Sequence, residues 1–280
     1  MSTVNPEQPK KKTIISSNPI LRRMSKTEER AQNNAATYTG IAAKTTYFLL
    51  VTVLGIMAQL LVMGAMANEP IWQNVEIYKG FTVALTMKET IILSVVTIGG
   101  LIAELVGIFA RKTVPVTGTL YAASQGYVIS FIVFKVLKGY EYIGLEALLL
   151  TIAVIAVMSW LYTSGTVKVN SRFRTILLTL ILGSILIGVM TFVASLIPAT
   201  KPFVQAMRQN TALVIGIDVL GLIIAAMFLI SDFSMIDTCV KEGYPKEYEW
   251  SAAFGLVFTV IWIYLKILDL LITISGKNKD

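Results

Sequence analysis

Residues 211–240 read TALVIGIDVLGLIIAAMFLISDFSMIDTCV and residues 251–275 read SAAFGLVFTVIWIYLKILDLLITIS, with the charged hairpin KEGYPKEYEW at 241–250 between them. Each apolar run is long enough to cross a bilayer, because about 20 residues at roughly 1.5 Å per residue span a hydrocarbon core of ~30 Å. The first run nevertheless carries Asp218, Asp232 and Asp237, and the second carries Lys266 and Asp269. An ionisable side chain inside a span costs roughly 2.5–3.5 kcal/mol even on lenient insertion scales, so such groups usually face a protein interior or a water-filled path. The two runs predict membrane helices, and their charges mark where function is to be sought.

Composition agrees with that assignment. Of 280 residues, 55% are hydrophobic and 15% charged, with a mean hydropathy of +0.70. A soluble domain needs more charge to cover its surface, so the expected class is an all-α polytopic membrane protein. There is no histidine, and Cys239 is the only cysteine. Those counts exclude disulfide frameworks, Cys/His zinc sites, histidine-ligated haem and any nucleophile that depends on histidine. No cofactor is expected and no metal set is evident. The net charge of +7 predicts basic loops facing anionic lipid rather than a nucleic-acid partner.

Working outward, seven apolar spans are predicted near 47–67, 89–110, 114–136, 145–163, 175–197, 211–238 and 251–274. Charges and breakers separate them: Asn68 to Pro70, Arg111-Lys112, Lys138 to Glu141, Lys168 to Arg174 and Pro198 to Arg208. Residues 1–46 form a polar, basic tail, partly disordered by composition, with a surface helix possible from Leu21 to Lys44. The start lacks an apolar stretch, so no cleaved signal peptide is expected, and Arg22-Arg23 does not sit in a twin-arginine context. The membrane domain is placed at 47–275, followed by a short external tail at 276–280.

Lysine and arginine positions predict orientation. Eight lie in residues 1–46, and Arg111, Lys112, Lys168, Arg172, Arg174, Lys241 and Lys246 share that side, fifteen in all. The other side holds eight, and Lys266 lies within a span. The expected topology is N-terminus cytoplasmic and C-terminus outside, in a plasma membrane.

Depth along the spans sorts the buried charges into two levels. Glu104 and Asp232 lie at comparable distance from the cytoplasmic side and form a candidate inner pair, an ion pathway with a pH gate. Asp218, Lys266 and Asp269 lie near the outer side as a second polar group, with Lys266 and Asp269 three residues apart on one helical face. Each has a structural alternative. Glu89 and Glu146 read as wet residues at span mouths, and Asp237 as a solvated helix end. Lys266 can snorkel outward along its stem instead of pairing with Asp218. Glu104 and Asp232 can also be structural carboxylates bonded to nearby donors. The Ser184/Gly188 step reads as helix packing, and Trp160, Tyr162, Trp250 and Tyr264 as belt or packing aromatics.

Several stretches resemble the Bax inhibitor-1 family, more narrowly its bacterial branch with a long basic N-terminal tail. They are Ile230-Ser-Asp-Phe-Ser-Met-Ile-Asp237 with the hairpin and residues 249–271, then Asn18-Pro-Ile-Leu-Arg-Arg23, Gly40-Ile-Ala-Ala-Lys-Thr45 and Leu120-Tyr-Ala-Ala-Ser-Gln-Gly126. The resemblance implies a seven-transmembrane-helix bundle with the last helix central, wrapped by the other six. It implies a pH-sensitive calcium leak in which two aspartates on the sixth and seventh helices share a proton and close a pore toward the cytoplasm. Asp232 falls at the first of those positions. The chain departs from the pattern at the second, where Lys266 stands in place of an acidic residue, and at Gln125, where the branch shows glutamate.

Three functions follow from these residues. The favoured one is a proton-sensitive cation leak or transport protein. Carboxylates and carbonyl oxygens are the plentiful donors in the spans, calcium takes oxygen ligands, and a leak needs only weak binding. The alternative is a non-transporting regulator that binds a membrane protease or a cell-death or stress partner, with the basic tail serving that role. An intramembrane aspartyl protease is set aside, because Gly216-Ile-Asp218 lacks the Gly-x-Gly-Asp pattern. No enzymatic activity is expected.

Overall fold

The structure is a computed structural model that describes residues 35–78 and 81–276. The predicted disorder of the tail falls on residues 1–34, outside the described residues, as does most of the C-terminal tail. Seven helices are long and apolar enough to cross a membrane, one in each predicted span. They are α1 (Tyr38–Ala65), α2 (Met87–Phe109), α3 (Val114–Ser130), α4 (Tyr142–Thr163), α5 (Ser171–Leu196), α7 (Thr211–Lys241) and α8 (Tyr248–Gly276). The chain is an integral, all-α polytopic membrane protein. Between α5 and α7 lies the short helix α6 (Lys201–Gln209), with Pro202 in its first turn, where a missing N–H costs nothing. A π-helical turn, Phe131–Val136, extends α3 to the full span.

Two boundaries differ from expectation. Helix α1 begins at Tyr38, so residues 38–46 belong to the first membrane helix and not to the tail. Thr37 caps it, its hydroxyl accepting from the Gly40 N–H at 3.0 Å. The loop at 68–88 contains an antiparallel hairpin, β1 (Ile71–Tyr78) and β2 (Phe81–Thr86), in which Val75 faces Val83 and Ile71 faces Thr86. In β2, buried Val83 and Leu85 alternate with exposed Thr82 and Ala84, the period of a strand with one covered face. A lone two-stranded hairpin is marginal in water. This one is covered because Val83 and Leu85 pack with Phe131 and Val136 of the π-helical turn.

Contacts divide the helix ends between two faces. On the N-terminal face, the Ala36 N–H donates to Tyr244 O at 2.7 Å, Tyr38 bonds Asp237, and the Arg111 guanidinium lies 4.0 Å from the Tyr248 ring centre. On the opposite face, the Phe81 and Tyr140 rings meet edge-on at 6.0 Å and Lys135 pairs with Glu89. Alternate helices therefore run in opposite directions.

Helix α8 is the core. It packs on α1, α3, α4 and α7. From α2, Gly107 approaches Phe254 so closely that a Cβ there would lie 2.9 Å from the ring. Trp262 carries α8 to the small cluster of Leu177, Ile224 and Phe228 that seats α5. Ala252, Ala253, Phe254, Val257 and Ile263 on α8 are fully buried. Helix α5 is the outlier, with Leu177 its one buried residue. Gly183 and Gly188 face open space, so the Ser184/Gly188 step packs against nothing within the bundle.

Candidate functional site

The α7–α8 hairpin aligns the site. Gly243, with φ +66, ends α7 in a backbone conformation that suits glycine. Its N–H donates to Val240 O, and the Tyr244 N–H donates to Cys239 O, so a Schellman turn satisfies the last carbonyls of the helix. The chain reverses over Pro245, and α8 then runs back alongside α7.

Within that pair Asp232 is completely buried, although it lies inside a membrane span, nine residues before its end at Lys241. The Thr259 hydroxyl of α8 donates to Asp232 Oδ2 at 2.5 Å, with Gly255 O also in its reach at 3.2 Å. A carboxylate without water needs such donors, because an unsatisfied buried charge costs several kcal/mol. The bond ties the two helices at the depth where sequence placed the inner gate.

Glu104 is half-buried on α2 and interacts electrostatically with Tyr121 of α3, whose ring packs on Phe254 and Phe258. Tyr121 thus links Glu104 to the face of α8 that carries Phe254 and Phe258, one residue before Thr259.

Asp218, Lys266 and Asp269 lie toward the other end of the α7–α8 pair. Asp218 is buried, and its Oδ2 accepts no hydrogen bond. Lys266 lays its stem against Gly221 of α7, its Cδ and Cε each 3.4 Å from where a Cβ would stand. Among the described residues, no ion pair joins Lys266 to Asp218. Asp269 is half-buried and receives the Thr273 hydroxyl on its backbone carbonyl at 2.8 Å. The Lys266 amine, 3.7 Å from the Cβ position of Gly221, also lies against the gap that Gly221 leaves on α7.

Two charged contacts were not anticipated. Glu249, in the first turn of α8, has a fully buried side chain. It accepts from the Thr37 N–H and hydroxyl at 2.9 and 3.1 Å and pairs with Lys44. Lys44 also lies 5.3 Å from the Trp250 ring centre. Glu89, expected to be wet, is buried instead. It closes a capping box with Thr86 and pairs with Lys135 from the π-helical turn. The Thr-x-x-Glu spacing at 86–89 was a legible capping signal, whereas nothing local links Lys44 to Glu249, 205 residues away. Glu146 is exposed as expected, and Asp237 keeps partial exposure while bonding Tyr38 and Lys241. Among the described residues, no group of three or more Cys, Asp or Glu is placed to hold a metal ion.

The family described as Bax inhibitor 1 like matches residues 18–276, almost the whole chain. The chain belongs to that family. No curated protein and no solved structure matches it.

Proposed function

We propose that this member of the Bax inhibitor 1 like family is a proton-sensitive cation leak, with calcium as its ion and Asp232 as the group that senses protons. The observation that supports this most is the fully buried Asp232 carboxylate bonded to Thr259 of the central helix at 2.5 Å. An ionised carboxylate accepts that hydroxyl and holds α7 to α8. Protonation at Oδ2 removes the negative charge, weakens that oxygen as an acceptor and loosens the contact, so proton concentration and helix separation become linked. Asp232 works with Thr259 in this reading. The role assigned is transport, not catalysis.

The test is calcium flux into liposomes holding the purified protein, measured against pH. Asp232→Asn keeps the shape but does not titrate, so its flux should lose pH dependence across the neutral range. A variant that keeps the wild-type profile would place the gate elsewhere. The alternative, a non-transporting regulator, predicts no flux from the intact protein and loss of a partner when the basic tail is deleted.

The basic residues, fifteen on the N-terminal side against eight opposite, support a cytoplasmic N-terminus in the plasma membrane. A cysteine introduced by Lys279→Cys should react with an impermeant thiol reagent only from outside. Reaction only from the cytoplasm would reverse the orientation.

A further inference from the structure

Residues 35–37 cross the N-terminal face as a strap over the end of α7 and the start of α8. Ala35 forms an antiparallel bridge with Pro245, and the Ala36 N–H donates to Tyr244 O at 2.7 Å. The Ala36 side chain is buried in the same cluster as Cys239, Tyr244 and Tyr248. Thr37 then gives its N–H and hydroxyl to Glu249, while Lys44, two turns into α1, takes the other carboxylate oxygen. A Cβ on Gly40 would lie 2.2 Å from Glu249 Oε1, so the carboxylate fills the place where any other residue would put its side chain.

The strap is held differently from the rest of the bundle. Helices α1, α3, α7 and α8 are packed over many apolar side chains, but the strap is fastened by one small apolar residue and a few polar bonds. Segments with few buried apolar contacts open at low free energy without global unfolding. Cys239, fully buried, shares the core cluster with Ala36, and Asp232 follows seven residues back along α7, roughly 10 Å at the helical rise.

We propose that residues 35–37, with Lys44 and Glu249, form a latch that keeps the N-terminal mouth of the bundle closed. Its release uncovers the buried Cys239 near the end of α7. The latch rests on the leak reading only for its effect on flux. Its opening is measurable without flux, because Cys239 is the sole cysteine and is buried in the cluster that Ala36 joins.

The experiment is the rate of N-ethylmaleimide labelling of Cys239 in the full chain reconstituted in liposomes. It compares wild type, Gly40→Ala and Thr37→Val, with Gly188→Ala as a control at an open helix position. Gly40→Ala pushes a methyl into the Glu249 carboxylate, and Thr37→Val removes the hydroxyl at nearly constant size. Both should label about tenfold faster, the factor that corresponds to about 1.4 kcal/mol off the opening free energy. Gly188→Ala should label at the wild-type rate. A melting temperature for each variant separates local opening from unfolding, and Thr37→Val carries the test if Gly40→Ala fails to fold. Wild-type labelling rates in folded Thr37→Val and Gly40→Ala would overturn the latch. Faster labelling with flux raised in parallel supports latch and leak together. Faster labelling with no flux in any variant leaves the latch standing and removes the leak.

Discussion

The two ends of the α7–α8 pair hold the same kinds of side chain in opposite conditions. At the N-terminal end the Glu249 carboxylate is fully buried and satisfied, with Thr37 on one oxygen and Lys44 on the other. At the far end Asp218 is just as deeply buried, but its Oδ2 has no donor and Lys266 lies against Gly221 without pairing to it. Asp232, between them, has Thr259. Burial alone therefore says little about what a charge does for stability. What matters is what removing a partner leaves behind.

The largest expected effect is at the satisfied end. Lys44→Met strands the buried Glu249 carboxylate and should cost about 3–5 kcal/mol. A denaturation midpoint in detergent measures it, and Lys44→Met/Glu249→Met should recover part of the loss. A double variant as unstable as the sum of its parts would break the comparison, since it would mean that the pair is not coupled. Thr259→Val comes next. It removes the hydroxyl donated to a buried carboxylate, at a cost of about 1.5–3 kcal/mol, the usual range for bonds to charged groups. No loss of stability would show that the 2.5 Å contact contributes little to holding α7 to α8.

At the far end the effects should be small. Asp218→Leu replaces a carboxylate that lacks a donor with an apolar side chain of similar size, so stability should change by less than about 1 kcal/mol or rise. A loss as large as that of Lys44→Met would reveal a structural role for Asp218. The smallest effect concerns coupling. Because Asp218 and Lys266 are not paired, Asp218→Leu and Lys266→Met should add within about 0.5 kcal/mol in a double-mutant cycle. A coupling well above that would mean the two side chains meet in the membrane.

The number of spans, their order and the class of protein were legible from the chain, because bilayer thickness imposes a length on apolar runs that neighbouring helices do not alter. The turn at 241–250 was legible for a similar reason, since Gly243 and Pro245 act through their own backbone geometry. Asp232 stood out because an aspartate inside a span is costly wherever the helix packs. The start of α1 and the hairpin at 71–86 were missed. Charged and polar residues there lowered the apparent hydropathy, while partners distant in sequence, Glu249 for α1 and Phe131 with Val136 for the hairpin, supply what stabilises them.

Sequence by itself determined which segments cross the membrane, which charges they carry and how deep those charges lie, because rise per residue and apolar length are properties of one helix. Only the tertiary structure decided which charges meet. It gave Asp232 to Thr259, set Glu104 near Tyr121, laid Lys266 against Gly221 and brought Lys44 to Glu249. Those outcomes depend on how each helix is rotated and which neighbours it packs against, and that is set by side-chain packing across the whole bundle.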